Sequence, residues 1–179
     1  MFKIFEESDY WFLKSFEIEG NQLTIDIAEG VISTNTKDIR IDKDFEIKDC
    51  APIEVNEKSR KIRVIFHKVL AHQLTDESYS APESGKTEGN VLCLHQESSY
   101  LKYVKDNSLV SQLIDEPVFH YSISLADDII DIITTEKPEL RQWSAFFQEN
   151  GVLNLKIGQF MWSSMILANE KIIYQHCDK

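Results

Sequence analysis

Residues 118–135, with the sequence VFHYSISLADDIIDIITT, contain the clearest strand pattern in the chain. Residues 118–125 predict one strand and residues 129–135 predict the strand that returns, because β-branched side chains dominate the return and favour strand over helix. The residues between them predict a turn. A helix that begins at Asp127 is the competing interpretation, because aspartate is a good N-cap. We therefore expect an antiparallel hairpin here.

A second hairpin is predicted near the start of the chain. Residues 14–19 alternate between polar and apolar side chains and then meet Gly20-Asn21, a turn signal. Alternation resumes over residues 23–27 and places three apolar side chains on one face. Residues 60–74 form a longer run whose middle is apolar on both faces, as is typical of a central strand. Further strands are predicted at residues 39–41, 45–47, 91–94 and 152–157, and a closing hairpin at residues 160–175.

Two helices and one loop complete the predicted elements. Ser98 or Ser99 precedes apolar residues at helical spacing, which indicates a capped helix. A second helix is predicted after Pro138 from the spacing of Leu140, Trp143, Phe146 and Phe147, with Gly151 as its stop. Residues 75–90 are rich in Asp, Glu, Ser, Pro and Gly and predict a surface loop. We expect a single α+β domain over residues 1–179, mainly antiparallel β-sheet with a few packed helices.

The charge balance limits the classes of partner. The 30 acidic and 19 basic residues give a net charge of −11. This charge repels phosphate backbones and anionic lipid, so neither nucleic acid nor membrane is an expected partner. It attracts a cationic protein, although solubility alone also accounts for an acidic composition. The three cysteines form no CxxC pair and the chain opens without a signal-peptide pattern, so we expect a cytoplasmic protein without disulfides.

No catalytic or metal-binding motif is present in the sequence. It lacks a glycine-rich phosphate loop, a GxSxG elbow and an HExxH pair. Five histidines are dispersed, and a two-histidine acid–base site would have to be assembled from distant positions. Asp127, Asp128 and Asp131 offer hard oxygen ligands, but the spacing and central glycine of a calcium loop are missing. We expect no catalytic residue, no metal and no cofactor.

The middle third of the chain resembles a known class of bacterial proteins. Tyr100-Leu101, His120-Tyr121, residues 128–132 and residues 136–138 look like small stand-alone bacterial proteins. They are also similar in kind to immunity proteins of contact-dependent growth inhibition and related toxin systems. The resemblance implies an acidic cytoplasmic α+β protein that blocks a basic nuclease toxin. It assigns no binding residue, because immunity proteins differ in fold and in contact set.

The expected function is therefore binding rather than catalysis. A nuclease holds a phosphate backbone in a positive cleft, and clustered carboxylates on an inhibitor complement that cleft. The candidate partner-binding residues are Asp76, Glu77, Glu83, Glu88, Glu97, Asp127, Asp128 and Asp131. The alternatives are a small hydrolase or ribonuclease that uses the dispersed histidines and acidic residues, and a scaffolding or regulatory domain.

Overall fold

The structure is a computed structural model that describes residues 3–5, 7–43, 45–81, 83, 85–143 and 173–174. These residues are mostly antiparallel strands with few helices, in agreement with the predicted class. The strands are β1 Trp11–Glu19, β2 Gln22–Glu29, β3 Val31–Ile32, β4 Lys37–Asp42, β5 Phe45–Cys50, β6 Pro52–Glu54, β7 Lys61–Phe66, β8 Val69–Asp76, β9 Thr87–Glu88, β10 Leu92–His95, β11 Phe119–Ser124, β12 Asp128–Thr134, β13 Glu139–Trp143 and β14 Ile173–Tyr174. The helices are α1 Ser99–Asn107 and α2 Val110–Leu113, with 3-10 turns at Lys3–Phe5 and Glu77–Tyr79.

Two larger sheets enclose the core. One has the strand order β1-β2-β7-β13 and the other has the order β8-β12-β11-β10-β9. Smaller sheets, β14-β6-β3 and β4-β5, complete the described strands. Every pairing is antiparallel. The inward-facing side chains of both larger sheets belong to one buried cluster, and the rings of Phe66 and Tyr121 lie 5.7 Å apart across it.

Both predicted hairpins are confirmed. β1 pairs with β2 around Gly20, whose φ of 61° suits a tight turn and is strained for other residues. Leu23, Ile25 and Ile27 are fully buried on one face. β11 pairs with β12 across a short turn, so the helix proposed to begin at Asp127 is wrong. Burial of Ile130, Ile132 and their neighbours in the core requires the period-two geometry of a strand.

The run predicted at residues 60–74 is two strands. β7 lies at the centre of its sheet, as its two apolar faces indicated, but the chain then leaves that sheet and enters the other as β8. The break lies at His67-Lys68, where Lys68 has a φ of 50°. This left-handed backbone conformation cannot continue an extended strand.

The helix predicted after Pro138 is wrong over Glu139–Trp143, which is strand β13. β13 adds to the edge of β7, where Leu140 lies opposite Val64. Backbone pairing with this edge outweighs the helical spacing of the apolar residues. Phe146, Phe147 and Gly151 lie outside the described residues, as do the strand at 152–157 and the closing hairpin, apart from a short strand at Ile173–Tyr174 that pairs with β6.

The remaining local predictions are confirmed in their main features. The helix α1 begins at Ser99, with Ser98 as its N-cap and the Ser98 Oγ accepting a hydrogen bond from the Leu101 N–H. The predicted loop at residues 75–90 contains the end of β8, a 3-10 turn and the short strand β9. In the described ranges, none of the helices has the length and apolar character that a membrane crossing requires.

A core substitution tests the packing of the two sheets. We expect Ile25→Ala to lower the free energy of unfolding by about 2–5 kcal/mol, because it leaves a cavity in a fully buried site. The control is Ile18→Ala on the paired strand, whose side chain is 51% exposed; its loss should stay below about 1 kcal/mol. Urea unfolding measures both, and equal losses would contradict the buried position of Ile25.

Candidate functional site

The face of the five-stranded sheet that is turned away from the core has two rows of polar side chains. Antiparallel register places one residue of each strand side by side. One row crosses four strands and consists of Cys93, Ser122, Asp131 and Gln73. In the next row His95 lies directly opposite His120. The rows bring together side chains that are distant in the chain.

His120 holds Asp131 in place. Its side chain is fully buried, and its Nε2 lies 2.9 Å from Asp131 Oδ1. An ionised carboxylate only accepts hydrogen bonds, so Nε2 is the donor. The His120 Nδ1 is buried without a partner among the described residues, and a proton there would be an unsatisfied donor. The tautomer with the proton on Nε2 therefore satisfies the Asp131 carboxylate and leaves no buried N–H without an acceptor among the described residues.

His95 stacks on His120 and contacts Ser122. The two imidazole rings are 13° from parallel with centroids 4.1 Å apart, and His95 Nε2 lies 2.7 Å from Ser122 Oγ. Burial, and secondly the adjacent His120, lower the pKa of His95 from its usual 6.5, against the opposing effect of the nearby carboxylates. The His95 Nδ1 is also buried without a partner in the described part of the chain. The tautomer with the proton on Nε2 avoids an orphaned N–H and donates to Ser122.

A cleft of about 510 Å³ opens over the Asp131 row. Its floor includes Gln73, Ser122 and Asp131, and its rim includes Tyr79 and Tyr100. The Tyr100 ring also meets the His120 ring edge-on at 5.6 Å. Burial raises the pKa of Tyr100, and the charge of Asp131 adds to this effect, so its hydroxyl remains protonated and able to donate.

Glu83 forms one wall of the cleft and also caps α1. Its carboxylate accepts hydrogen bonds of 3.0 Å from the N–H groups of Ser99 and Tyr100, and one of 3.3 Å from the Ser98 hydroxyl. Burial alone would raise the pKa of Glu83, but these donors outweigh it and lower the pKa. The helix N-terminus therefore stabilises a negative charge at the cleft wall.

The charge of the two larger sheets differs. None of the five strands β8 to β12 contains Lys or Arg, and they include Asp76, Glu88, Asp128 and Asp131. Among the described residues that line the cleft there is likewise no Lys or Arg. The four-stranded sheet instead neutralises its buried carboxylate, since Arg63 Nε lies 2.7 Å from Asp26. The cleft on the outer face of the five-stranded sheet therefore has the carboxylates of Asp131 and Glu83 and no Lys or Arg among its described lining residues. Strand alternation places Asp76, Glu88 and Asp128 on the opposite side of the sheet.

The structure divides the predicted partner-binding residues among three places. Asp131 and Glu83 line the cleft. Four others meet at the β8–β12 end of the sheet, where Asp128 is the register partner of Asp76 and the Glu77 N–H donates to the Asp127 carbonyl at 2.9 Å. Glu88 on β9 and Glu97 before α1 are exposed and do not line the cleft.

Sequence reasoning missed the convergence of His95, His120 and Ser122. The strand at residues 91–94 and the hairpin at residues 118–135 were both predicted. Neither pattern indicates that the first of these, β10, pairs with the first strand of the hairpin, β11. Their register places His95 beside His120. If that pairing had been known, the alternation of side chains along each strand would have placed His95, His120 and Ser122 on the same outer face.

An apolar groove of about 400 Å³ adjoins the cleft between α1, α2 and β8. Tyr100 lines both the groove and the cleft, which makes them one continuous surface. Tyr103, Leu109 and Leu113 line the groove and are 62%, 59% and 71% exposed. Exposed apolar side chains of this size, grouped together, are typical of a protein-binding surface.

The site fits a metal ion poorly in this arrangement. Potential ligand atoms of His95, His120 and Asp131 lie within 4.8 Å of one another. A transition metal requires two ring nitrogens to point at one position about 2.0–2.1 Å from each. The His95 and His120 rings are stacked and nearly parallel, so the lone pairs in their ring planes run parallel to each other and do not converge on one position. The oxygen atoms that line the cleft suit an organic cation better than a metal ion.

No protein-family model, curated protein or solved structure matches this chain. The chemistry of the surface itself is therefore the basis for a functional proposal.

The partly buried position of His95 predicts a pH-dependent stability. The unfolded chain binds the His95 proton near pH 6.5, whereas the folded chain binds it only at lower pH, since the folded pKa is lowered. The free energy of unfolding should therefore be highest above pH 6.5 and decrease as the pH falls below it. The carboxylates Asp26 and Glu29, whose pKa values are lowered by their arginine partners, lose their contribution only at still lower pH.

Urea unfolding at pH 7.5 and 5.5 measures this effect. His95→Gln should reduce the decrease between the two pH values, and exposed His72→Gln should leave it unchanged. A wild-type protein of equal stability at both pH values would contradict the lowered pKa that partial burial gives His95.

Proposed function

We propose that this protein is an immunity protein, which binds a cationic toxin domain and masks its active site. The observation that supports the proposal is the outer face of the five-stranded sheet, where an anionic cleft without Lys or Arg among its described lining residues adjoins an exposed apolar groove. This combination suits a protein partner that has both basic and apolar side chains at its binding surface.

The charge distribution supports a basic partner. A toxin that cleaves nucleic acid needs a positive cleft for the phosphate backbone. An inhibitor that presents carboxylates such as Asp131 and Glu83 at its contact face is steered toward that cleft and oriented against it. The arginine-compensated carboxylate Asp26 of the opposite sheet offers no such attraction. The five-stranded sheet is therefore the proposed contact face.

The apolar groove supports a stable complex rather than a transient encounter. Buried aromatic and aliphatic anchors supply much of the affinity of protein interfaces, whereas exposed charge pairs at the rim supply little. Tyr103, Leu109 and Leu113 are the side chains that a partner would cover. In such a complex the cleft would orient the partner, and the groove would supply affinity.

A small hydrolase is the second candidate, because His95 lies within hydrogen-bond distance of Ser122 at the cleft. Two observations weaken it. The inferred tautomer donates a proton to Ser122 instead of accepting one, so the hydroxyl is not activated as a nucleophile. A ribonuclease would also need positive charge beside the phosphate, and no Lys or Arg lines the described part of the cleft. An esterase or ribonuclease activity that His95→Gln abolishes would favour the hydrolase.

Complex formation with the product of a neighbouring toxin gene tests the immunity proposal. We expect a stable one-to-one complex that protects cells from the toxin, with an association rate that falls as salt increases because the attraction is screened. Tyr103→Ala should weaken the complex at least about tenfold. Ile41→Ala, at an equally exposed apolar residue of the β4-β5 hairpin, should not. A toxin that forms no complex, or binds with a salt-independent rate, would contradict the proposal.

A further inference from the structure

We infer that the cleft over Asp131 is a receptor for one arginine side chain of the partner protein. The inference rests on the proposed function, because the arginine belongs to the cationic partner. It goes further by naming the group that is recognised and the carboxylate that binds it.

The first step is the charge of Asp131. Its side chain is 16% exposed, so it has lost most of its contact with water. Among the described residues it forms an ion pair with no Lys or Arg, and the His120 Nε2, 2.9 Å from its Oδ1, holds it in place. A partly desolvated anion of this kind gains more from an incoming cation than an exposed carboxylate does.

The second step is the number and placement of hydrogen-bond acceptors. A guanidinium group has five N–H donors in a planar fork. The floor of the cleft offers the Asp131 carboxylate and, around it, the side-chain oxygens of Gln73, Thr75, Ser122 and Ser124. An ammonium group has only three donors and is more strongly hydrated, so the arrangement favours arginine over lysine.

The third step concerns the side chains that form the walls of the cleft. Tyr79, which is 85% exposed, and Tyr100 line it and supply aromatic faces on which a planar cation can stack. Glu83 adds negative charge from the wall and is held there by the N-terminus of α1. The volume of about 510 Å³ lies in the range of small-molecule sites and exceeds what one side chain needs.

The fourth step is the exclusion of other occupants. A phosphate or carboxylate ligand would meet Asp131 and Glu83 with no Lys or Arg among the described lining residues. A transition metal would need the stacked rings of His95 and His120 to turn apart. An organic cation would meet the carboxylates of Asp131 and Glu83 and the hydroxyl groups beside them.

The experiment compares two probes of the same shape and different charge. Nα-acetyl-arginine amide and Nα-acetyl-citrulline amide are titrated into the full chain, and backbone amide NMR signals report where each binds. We expect the arginine probe to shift signals of cleft residues, and the citrulline probe to bind at least about tenfold more weakly, because the charge-assisted hydrogen bonds are lost. Equal binding of the two probes, no binding of either, or shifts centred on Asp76 and Asp128 would overturn the inference.

A matched pair of variants identifies the carboxylate. Asp131→Asn retains an oxygen that can accept the His120 hydrogen bond but removes the charge, and it should weaken arginine binding at least about tenfold. Asp128→Asn removes one charge from the same strand outside the cleft and should leave binding nearly unchanged. Equal effects of the two variants would mean general electrostatic attraction rather than a site.

The outcomes for the cleft and for the proposed function can be separated. A toxin complex whose affinity is the same with Asp131→Asn would support the immunity function and overturn the arginine receptor. Binding of the arginine probe in the cleft, without any toxin complex, would support the receptor and overturn the immunity function.

Discussion

The antiparallel register of β8, β12, β11 and β10 is the constraint on which the candidate site depends. Ile123, Ile130 and Ile132 are fully buried on the core side of these strands. A shift of one residue in any pairing would turn those side chains outward and bring Ser122 or Asp131 into the apolar core. Burial of the isoleucines therefore fixes the polar row on the opposite face as firmly as it fixes the core.

The two larger sheets differ in the side chain that pairs with a largely buried carboxylate. On the four-stranded sheet, Asp26 accepts hydrogen bonds from Arg63 at 2.7 and 2.8 Å, and its charge is neutralised within the protein. On the five-stranded sheet, Asp131 is held by the His120 imidazole, and no arginine or lysine of the described chain pairs with it. Asp26 is thus paired with an arginine of the same chain. Asp131 has no such partner among the described residues, so it can form a charge-assisted hydrogen bond with a cation of another protein.

The histidine pair positions the neighbouring side chains of this site. Stacking against His95 and the edge contact of Tyr100 keep His120 buried. The His120 Nε2 donates to Asp131 and orients its carboxylate in the cleft. The carboxylates and aromatic rings of the cleft and the apolar groove beside it then adjoin at Tyr100, and this combination is the basis of the proposed recognition of a basic protein.

Neighbouring residues and composition were sufficient to predict most of the local elements and the sign of the charge. Alternation predicted both hairpins, Ser98 predicted the start of α1, and the excess of carboxylates predicted a cationic partner. These features depend on neighbouring residues or on composition, which are visible along the chain. Tertiary structure alone decided that β7 and β8 enter different sheets, that residues after Pro138 form a strand against β7, and that His95 lies beside His120. Each of these depends on which strands pair, and pairing is set by burial of distant side chains against one another.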